Sequence, residues 1–196
     1  VHYEGRQVSE VRWNLLGTHN VNNALAAMAA AHHVGVTPER AAAALGTFKG
    51  VKRRLEIRAK VDGVTVYDDF AHHPTAVATT LGGLRARVGR ERILAVMEPR
   101  SATMKMGVHK DSLADSLKQA DRVFVYQAPN VKWDVAGAFA GLGARASVIR
   151  DLDALTDAVM GELQRGDHVL IMSNGGFGGF HGKLIDRLER QAAPRC

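Results

Sequence analysis

Val64-Thr65-Val66-Tyr67-Asp68-Asp69-Phe70-Ala71-His72-His73-Pro74-Thr75 is the stretch on which the fold turns. Its first four residues have the pattern of a strand. Its last two open a helix, because proline suits a first helical turn whose N–H groups have no partner inside the helix. Two carboxylates and two imidazoles therefore stand where a strand hands over to a helix. In open parallel sheets, ligands bind beyond the carboxyl ends of the strands. Turns and surface loops also collect Asp and His, so a ligand site and a structural turn are both open readings at this point.

Working outward, Leu55 to Lys60 reads as a strand joined to Val64–Tyr67 through Asp62-Gly63, a hairpin signal of the two-residue kind. Downstream, strands are expected at Ile93–Met97, Arg122–Tyr126, Ala146–Ile149 and Val169–Met172. Helices are expected to begin near Pro74, Lys110, Asp151 and Gly179, and Leu152, Leu155, Val159 and Leu163 share one helical face. Short apolar strands alternating with amphipathic helices predict an α/β chain with a Rossmann-like, mostly parallel sheet covered on both faces. Upstream the grammar differs. One or two strands should end near Val11-Arg12-Trp13, followed by an Ala-rich helix from about Asn20 that buries Leu25, Met28, Ala29 and His32. A second helix begins at Thr37-Pro38, with Thr37 as its cap. Residues 1–55 thus read as a small, mostly helical piece, and residues 56–196 as the α/β domain.

The chain has 196 residues, 46% of them hydrophobic, which is enough for a sizeable core. No run of eighteen apolar residues is present, so a membrane span is not expected. The chain begins at Val1 without a methionine, so it reads as part of a longer protein. The single cysteine, Cys196, rules out a disulfide framework and fits a reducing, cytoplasmic setting. A net charge of +6 points to anionic partners. Its Lys and Arg residues are dispersed and aromatics are few, so nucleic acid is not the expected partner. A phosphorylated or carboxylated small molecule explains the charge at least as well.

Five stretches have the residue types for ligand chemistry. In Gly17-Thr18-His19-Asn20-Val21-Asn22-Asn23, Asn20 and Asn23 share a helical face. Two carboxamides there would read the edge of a purine, or else cap the helix. In Lys52-Arg53-Arg54, a guanidinium fork would hold phosphate or ribose, or else lie in solvent. The Asp68–Pro74 stretch offers Asp69 to ribose hydroxyls or a metal-bound water; adjacent His72 and His73 make a poor zinc pair. In Glu98-Pro99-Arg100-Ser101-Ala102-Thr103-Met104-Lys105, Arg100 and Lys105 suit substrate carboxylates. In Ser173-Asn174-Gly175-Gly176-Phe177-Gly178-Gly179-Phe180-His181, a Gly-rich turn would expose N–H groups to an anion. The same turn loosely resembles a dinucleotide fingerprint, which leaves open a nicotinamide-dependent oxidoreductase or a non-catalytic peptide-binding module. No Gly-x-x-x-x-Gly-Lys-Ser/Thr loop occurs.

Together these stretches resemble the Mur ligase family. The segment from Gly17 to Asn23 is similar to its His-Asn-x-x-Asn element, and Arg54 to the arginine at its domain junction. Asp68–Thr75 is similar to its Asp-Asp-Tyr-x-His-His-Pro-Thr stretch, with Phe70 in place of Tyr. The stretches around Arg100 and Gly175 look like the branch that attaches a whole peptide. The resemblance implies the tail of an ATP-binding central domain (1–55) and a peptide-binding C-terminal domain (56–196). It implies an ATP-dependent ligase joining UDP-N-acetylmuramate to the murein tripeptide L-Ala-γ-D-Glu-meso-diaminopimelate through an acyl phosphate, in peptidoglycan recycling. Mg2+ would be held mostly by residues outside this chain. ATP would meet His19, Asn20, Asn23, Arg54 and Asp69; the peptide would meet Arg100, Lys105, Asn174, Gly175 and Gly176. No catalytic residue is certain: His72 would touch the incoming amine or a phosphate, or serve only the turn.

Overall fold

The computed structural model describes residues 1–193, so Cys196 lies outside the described residues. They divide into two compact units, Val1–Lys52 and the remainder from Arg53.

The first unit contains a short hairpin, β1 (His2–Tyr3) and β2 (Arg6–Gln7), and two helices, α1 (Thr18–His33) and α2 (Pro38–Gly46). The strands end at Gln7 rather than near Trp13, because each finds a partner for only two residues. Thr37 caps α2, its Oγ1 accepting from the Arg40 N–H at 3.4 Å. Ala24 and Met28 are the buried residues of α1, and Met28 packs with Ala41 and Ala42 of α2. Leu25, expected to be inward, is 49% exposed, and Ala29 and His32 are exposed too. The side of α1 that meets α2 is set by Met28 and Ala31, which leaves Leu25 outside the contact.

The second unit is built on a six-stranded sheet in the order β3-β4-β8-β5-β6-β7. β3 (Glu56–Val61) and β4 (Val64–Asp69) form the expected hairpin. Asp62 and Gly63, both at positive φ, make its turn. β5 (Ile93–Met97), β6 (Arg122–Tyr126), β7 (Ala146–Ile149) and β8 (His168–Met172) lie parallel to β4. Side chains alternate across this sheet. Tyr67, Ile93, Ala95, Met97, Leu170 and Met172 pack on one face with α3 (Pro74–Val88), α5 (Lys110–Ser116) and α6 (Val135–Phe139). Val64, Val66, Leu94, Val96, Val169 and Ile171 pack on the other with α7 (Leu152–Glu162) and α8 (Phe180–Ala192). Leu81 and Leu184 are fully buried, one on each side; each such side chain contributes about 1.5–3 kcal/mol of burial. The one-turn helix α4 (Ala102–Lys105) and α6 carry too few residues for a helical period to register in the sequence.

β8 is last in the chain yet lies between β4 and β5. The chain leaves β4 and β5 toward the α3 side, and leaves β8 toward α8 on the opposite face. Connections that part in this way open a crevice at the carboxyl ends of the strands. No helix among the described residues is long and apolar enough to cross a membrane.

Candidate functional site

The crevice at β4, β8 and β5 is organised by Arg53. Its backbone is left-handed (φ 59°), and so is that of Leu55 (φ 49°), a conformation that branched residues hold only when their surroundings impose it. Here the surroundings do. The Arg53 N–H donates to Glu56 Oε2 (2.8 Å), and its carbonyl accepts from the Phe70 N–H (2.8 Å). Its guanidinium reaches across β4: Nε donates to Asp68 Oδ1 at 3.3 Å, and Nη2 donates to the carbonyls of Ser173 and Gly175. The Arg54 guanidinium, like that of Arg53, lies over the Phe70 ring, 5.6 and 5.2 Å respectively from its centroid.

The two aspartates, adjacent on a strand, face opposite sides and do different things. Asp68 is a buried anion among cations. Besides Arg53 it meets Arg58 Nη1 at 3.2 Å. His181 Nε2 stands 3.1 Å from Asp68 Oδ1, off the direction of a hydrogen bond. Burial pushes the His181 imidazole below its ordinary pKa; Asp68 pulls it up, while Arg58 and Arg53 push it down. Asp69 is spent internally. Its Oδ2 accepts from the Leu55 N–H (2.8 Å), and its Oδ1 from the Ala71 N–H (2.7 Å) and the Thr80 hydroxyl (3.3 Å). Burial holds its carboxyl above the usual range despite the downward pull of those hydrogen bonds and of Arg54.

At β5 and β8, the Ser173 hydroxyl donates to buried Glu98 (2.5 Å) and accepts from the Gly175 N–H (3.0 Å). Asn174 Oδ1 is buried without a hydrogen-bond partner. Arg100 lies flat on the Gly175 backbone: a Cβ there would come 1.8 Å from Arg100 Nη1. Only glycine permits this approach. Arg100, Asn174 and Gly175 are therefore brought together, with Gly176 exposed beside them and Lys105 half-buried on α4. His72 Nδ1 lies 2.9 Å from the Phe70 carbonyl, which assigns it the proton and leaves Nε2 available. His73 caps α3, Nδ1 accepting from the Thr75 N–H at 3.3 Å.

In the first unit, α1 is capped by Gly17 without a side chain. Asn20 lies within the first turn, its Nδ2 donating to the Leu16 carbonyl at 2.7 Å. Asn23 is exposed one turn on. His19 Nδ1 is buried without a partner. Among the described residues, no group of three or more His, Cys, Asp or Glu side chains is placed to hold a metal ion.

Arg53, Asp68, Glu98, Ser173 and His181 lie inside the candidate stretches, but sequence reasoning gave none of them a role of its own. His181 had a legible signal, since Phe177, Phe180, His181, Leu184 and Leu188 fall on one helical face, and a histidine on an apolar stripe invites a partner. Nothing in the sequence separated Arg53 from Arg54, because a left-handed backbone at a non-glycine residue is imposed from outside.

A family model described as the glutamate ligase domain of Mur ligases matches residues 53–175. The chain belongs to the Mur ligase family. It is 54% identical, over 96% of its length, to the Escherichia coli (strain K12) UDP-N-acetylmuramate–L-alanyl-γ-D-glutamyl-meso-2,6-diaminoheptandioate ligase. It is similar to the crystal structure of a murein peptide ligase from Psychrobacter arcticus, with a TM-score of 0.74 and 41% identity over 94% of this chain and 40% of that one. A solved domain assigned to a ligase of the same kind from Haemophilus ducreyi gives 0.60 and 47% identity, covering 69% of this chain and 99% of that one. The chain spans 42% of the length of the E. coli relative. With the family known, the Gly-rich turn reads as part of a Mur ligase crevice and not as an oxidoreductase fingerprint. Its geometry agrees: the turn follows the last strand, and its Phe177 is buried in the core at φ 46°.

Proposed function

We propose that this chain is part of an enzyme that uses ATP to join UDP-N-acetylmuramate to the tripeptide L-Ala-γ-D-Glu-meso-diaminopimelate, acting in the cytoplasm in peptidoglycan recycling. The sugar carboxylate becomes an acyl phosphate, and the peptide amine displaces phosphate. Such chemistry depends on alignment and charge neutralisation more than on covalent help from the protein. The observation that carries the peptide assignment is Arg100 lying over Gly175, with the Asn174 carboxamide oxygen unpaired beside it. A free guanidinium suits the carboxylates of such a peptide, and an unpaired carboxamide oxygen, an acceptor, suits one of its N–H groups. Lys105 and the Gly175–Gly176 backbone complete that surface.

In the first unit, Asn20 and Asn23 are the carboxamides for adenine, and His19 shapes the turn that carries them. Arg54 contributes its guanidinium to ATP from its perch on Phe70. Within the second unit, Asp69 supports that ATP contact indirectly, by fixing the backbone from Arg53 to Leu55. His72 has a ring nitrogen to offer an amine or a phosphate. Mg2+ would be held mostly by residues outside this chain.

Arg100→Ala in the full-length enzyme should raise the tripeptide KM far more than the ATP KM. Equal rises would remove the peptide assignment. The 196-residue chain alone, which has no Gly-x-x-x-x-Gly-Lys-Ser/Thr loop, should not consume ATP when given both substrates; turnover above background would contradict its being an incomplete enzyme.

A further inference from the structure

Beyond Arg100, the carboxyl edge of the sheet holds a second concavity of about 380 Å³, where β6 and β7 end. It is lined by Gln127, Ala128, Pro129, Val131, Lys132 and Arg150: two cations and no carboxylate. Arg150 Nε donates to the neutral Gln127 Oε1 at 3.3 Å, and Gln127 Nε2 donates to the Val131 carbonyl at 3.3 Å. The guanidinium is thus steered without being neutralised. The nearest acid in sequence, Asp151, is committed to capping α7, its Oδ1 accepting from the Ala154 N–H at 2.8 Å.

The loop that lines this concavity is tied to the Arg100 loop through Trp133, the residue after Lys132. Trp133 Nε1 donates to the Met104 carbonyl at 2.7 Å, and Gly107 lies so close that a Cβ would be 2.9 Å from Trp133 Cγ. The loop after β5 and the loop after β6 are therefore braced into one surface. Its length can be gauged from the strand order. From β8 to β6 and β7 is two to three strands, roughly 10–14 Å at the usual spacing. An extended tripeptide spans about 10–11 Å.

We propose that the Lys132–Arg150 concavity is a second anion subsite, taking the free carboxylate at the far end of the amine-bearing peptide while its near end lies at Arg100. The proposal rests on the ligase reading above. It makes the subsite a length gauge: a peptide whose carboxylate stands three residues from the reacting amine fills it, and a dipeptide falls short.

The test uses the full-length ligase and its Lys132→Gln/Arg150→Gln variant. Both side chains are exposed, so folding should be unaffected, and a thermal melt checks this. The tripeptide is compared with the same peptide amidated at the carboxyls of its last residue, and with L-Ala-γ-D-Glu. Loss of charge-assisted hydrogen bonds should raise the tripeptide KM about tenfold or more. The KM values for ATP and UDP-N-acetylmuramate should stay unchanged. The amidated peptide and the dipeptide should be weaker substrates of the unsubstituted enzyme and insensitive to the double substitution. A variant that keeps the tripeptide KM, or loses it equally for all three peptides, overturns the subsite. So does a rise confined to either nucleotide substrate, which would assign the cations to a phosphate instead. An unsubstituted enzyme that fails to ligate the tripeptide at all would defeat the ligase reading itself, a result distinguishable from the others.

Discussion

Replacing Asp69 by alanine tests what its carboxylate is for. The structure gives it three internal donors: the N–H groups of Leu55 and Ala71 and the Thr80 hydroxyl. Ala71 is 1% exposed, so its N–H has little recourse to water. Each stranded donor costs roughly 1–3 kcal/mol, and relief from burying a carboxylate offsets part of the sum, leaving a loss of about 3 kcal/mol. At roughly 2–4 °C per kcal/mol for a chain of this size, the melting temperature should fall by about 6–12 °C. Asp69→Asn keeps one oxygen for Ala71 and Thr80 but turns an NH2 toward the Leu55 N–H, so its loss should be smaller, about 1–2 kcal/mol. The assay is a ligand-free thermal melt at pH 7.5 followed by circular dichroism, beside ATP kinetics in the full-length enzyme. A fall below about 2 °C for Asp69→Ala, together with a raised ATP KM, would refute the reasoning and make Asp69 a direct ligand of the nucleotide.

His181 predicts a pH dependence. Its folded pKa lies below the ordinary 6.5 because it is buried, so the unfolded chain binds the extra proton first. The stability it contributes is present above about pH 6.5 and is lost as pH falls through the window below that value. Denaturant titrations from pH 7.5 to 5.5 should show His181→Gln declining less steeply than the unsubstituted chain; parallel curves would contradict the assignment. Gly175→Ala should leave stability within about 1 kcal/mol, since the displaced neighbour is the flexible tip of Arg100. In the full-length enzyme it should raise the tripeptide KM with the ATP KM unaltered, and steady-state kinetics with each substrate varied would decide. Gly107→Ala combines φ 73° with a Cβ 2.9 Å from Trp133. It should lower the melting temperature by several degrees, and an unchanged melt would show that the two loops are not braced.

Much of the second unit was legible. β5, β6 and β7 stand where predicted; β5 is apolar throughout because a central parallel strand is covered on both faces, while β7 is a half-buried edge strand. Pro74, Asp151 and Gly179 marked helix starts through local backbone chemistry that acts within three residues. The first unit was harder to read. Its alanines carry little periodic signal, and that Met28 and Ala31 rather than Leu25 meet α2 is set by the packing of the two helices.

Sequence alone determined the strand-to-helix junctions, the family and the set of polar residues gathered at strand ends, because each is written in short-range patterns. Tertiary structure decided which of those residues meet. β8 inserts between β4 and β5, and this brings Ser173 and Gly175 to Arg53 across 120 and 122 positions of chain. It also set Asp68 among cations and Asp69 among backbone N–H groups, since adjacent residues on a strand face opposite sides of the sheet and so enter different surroundings.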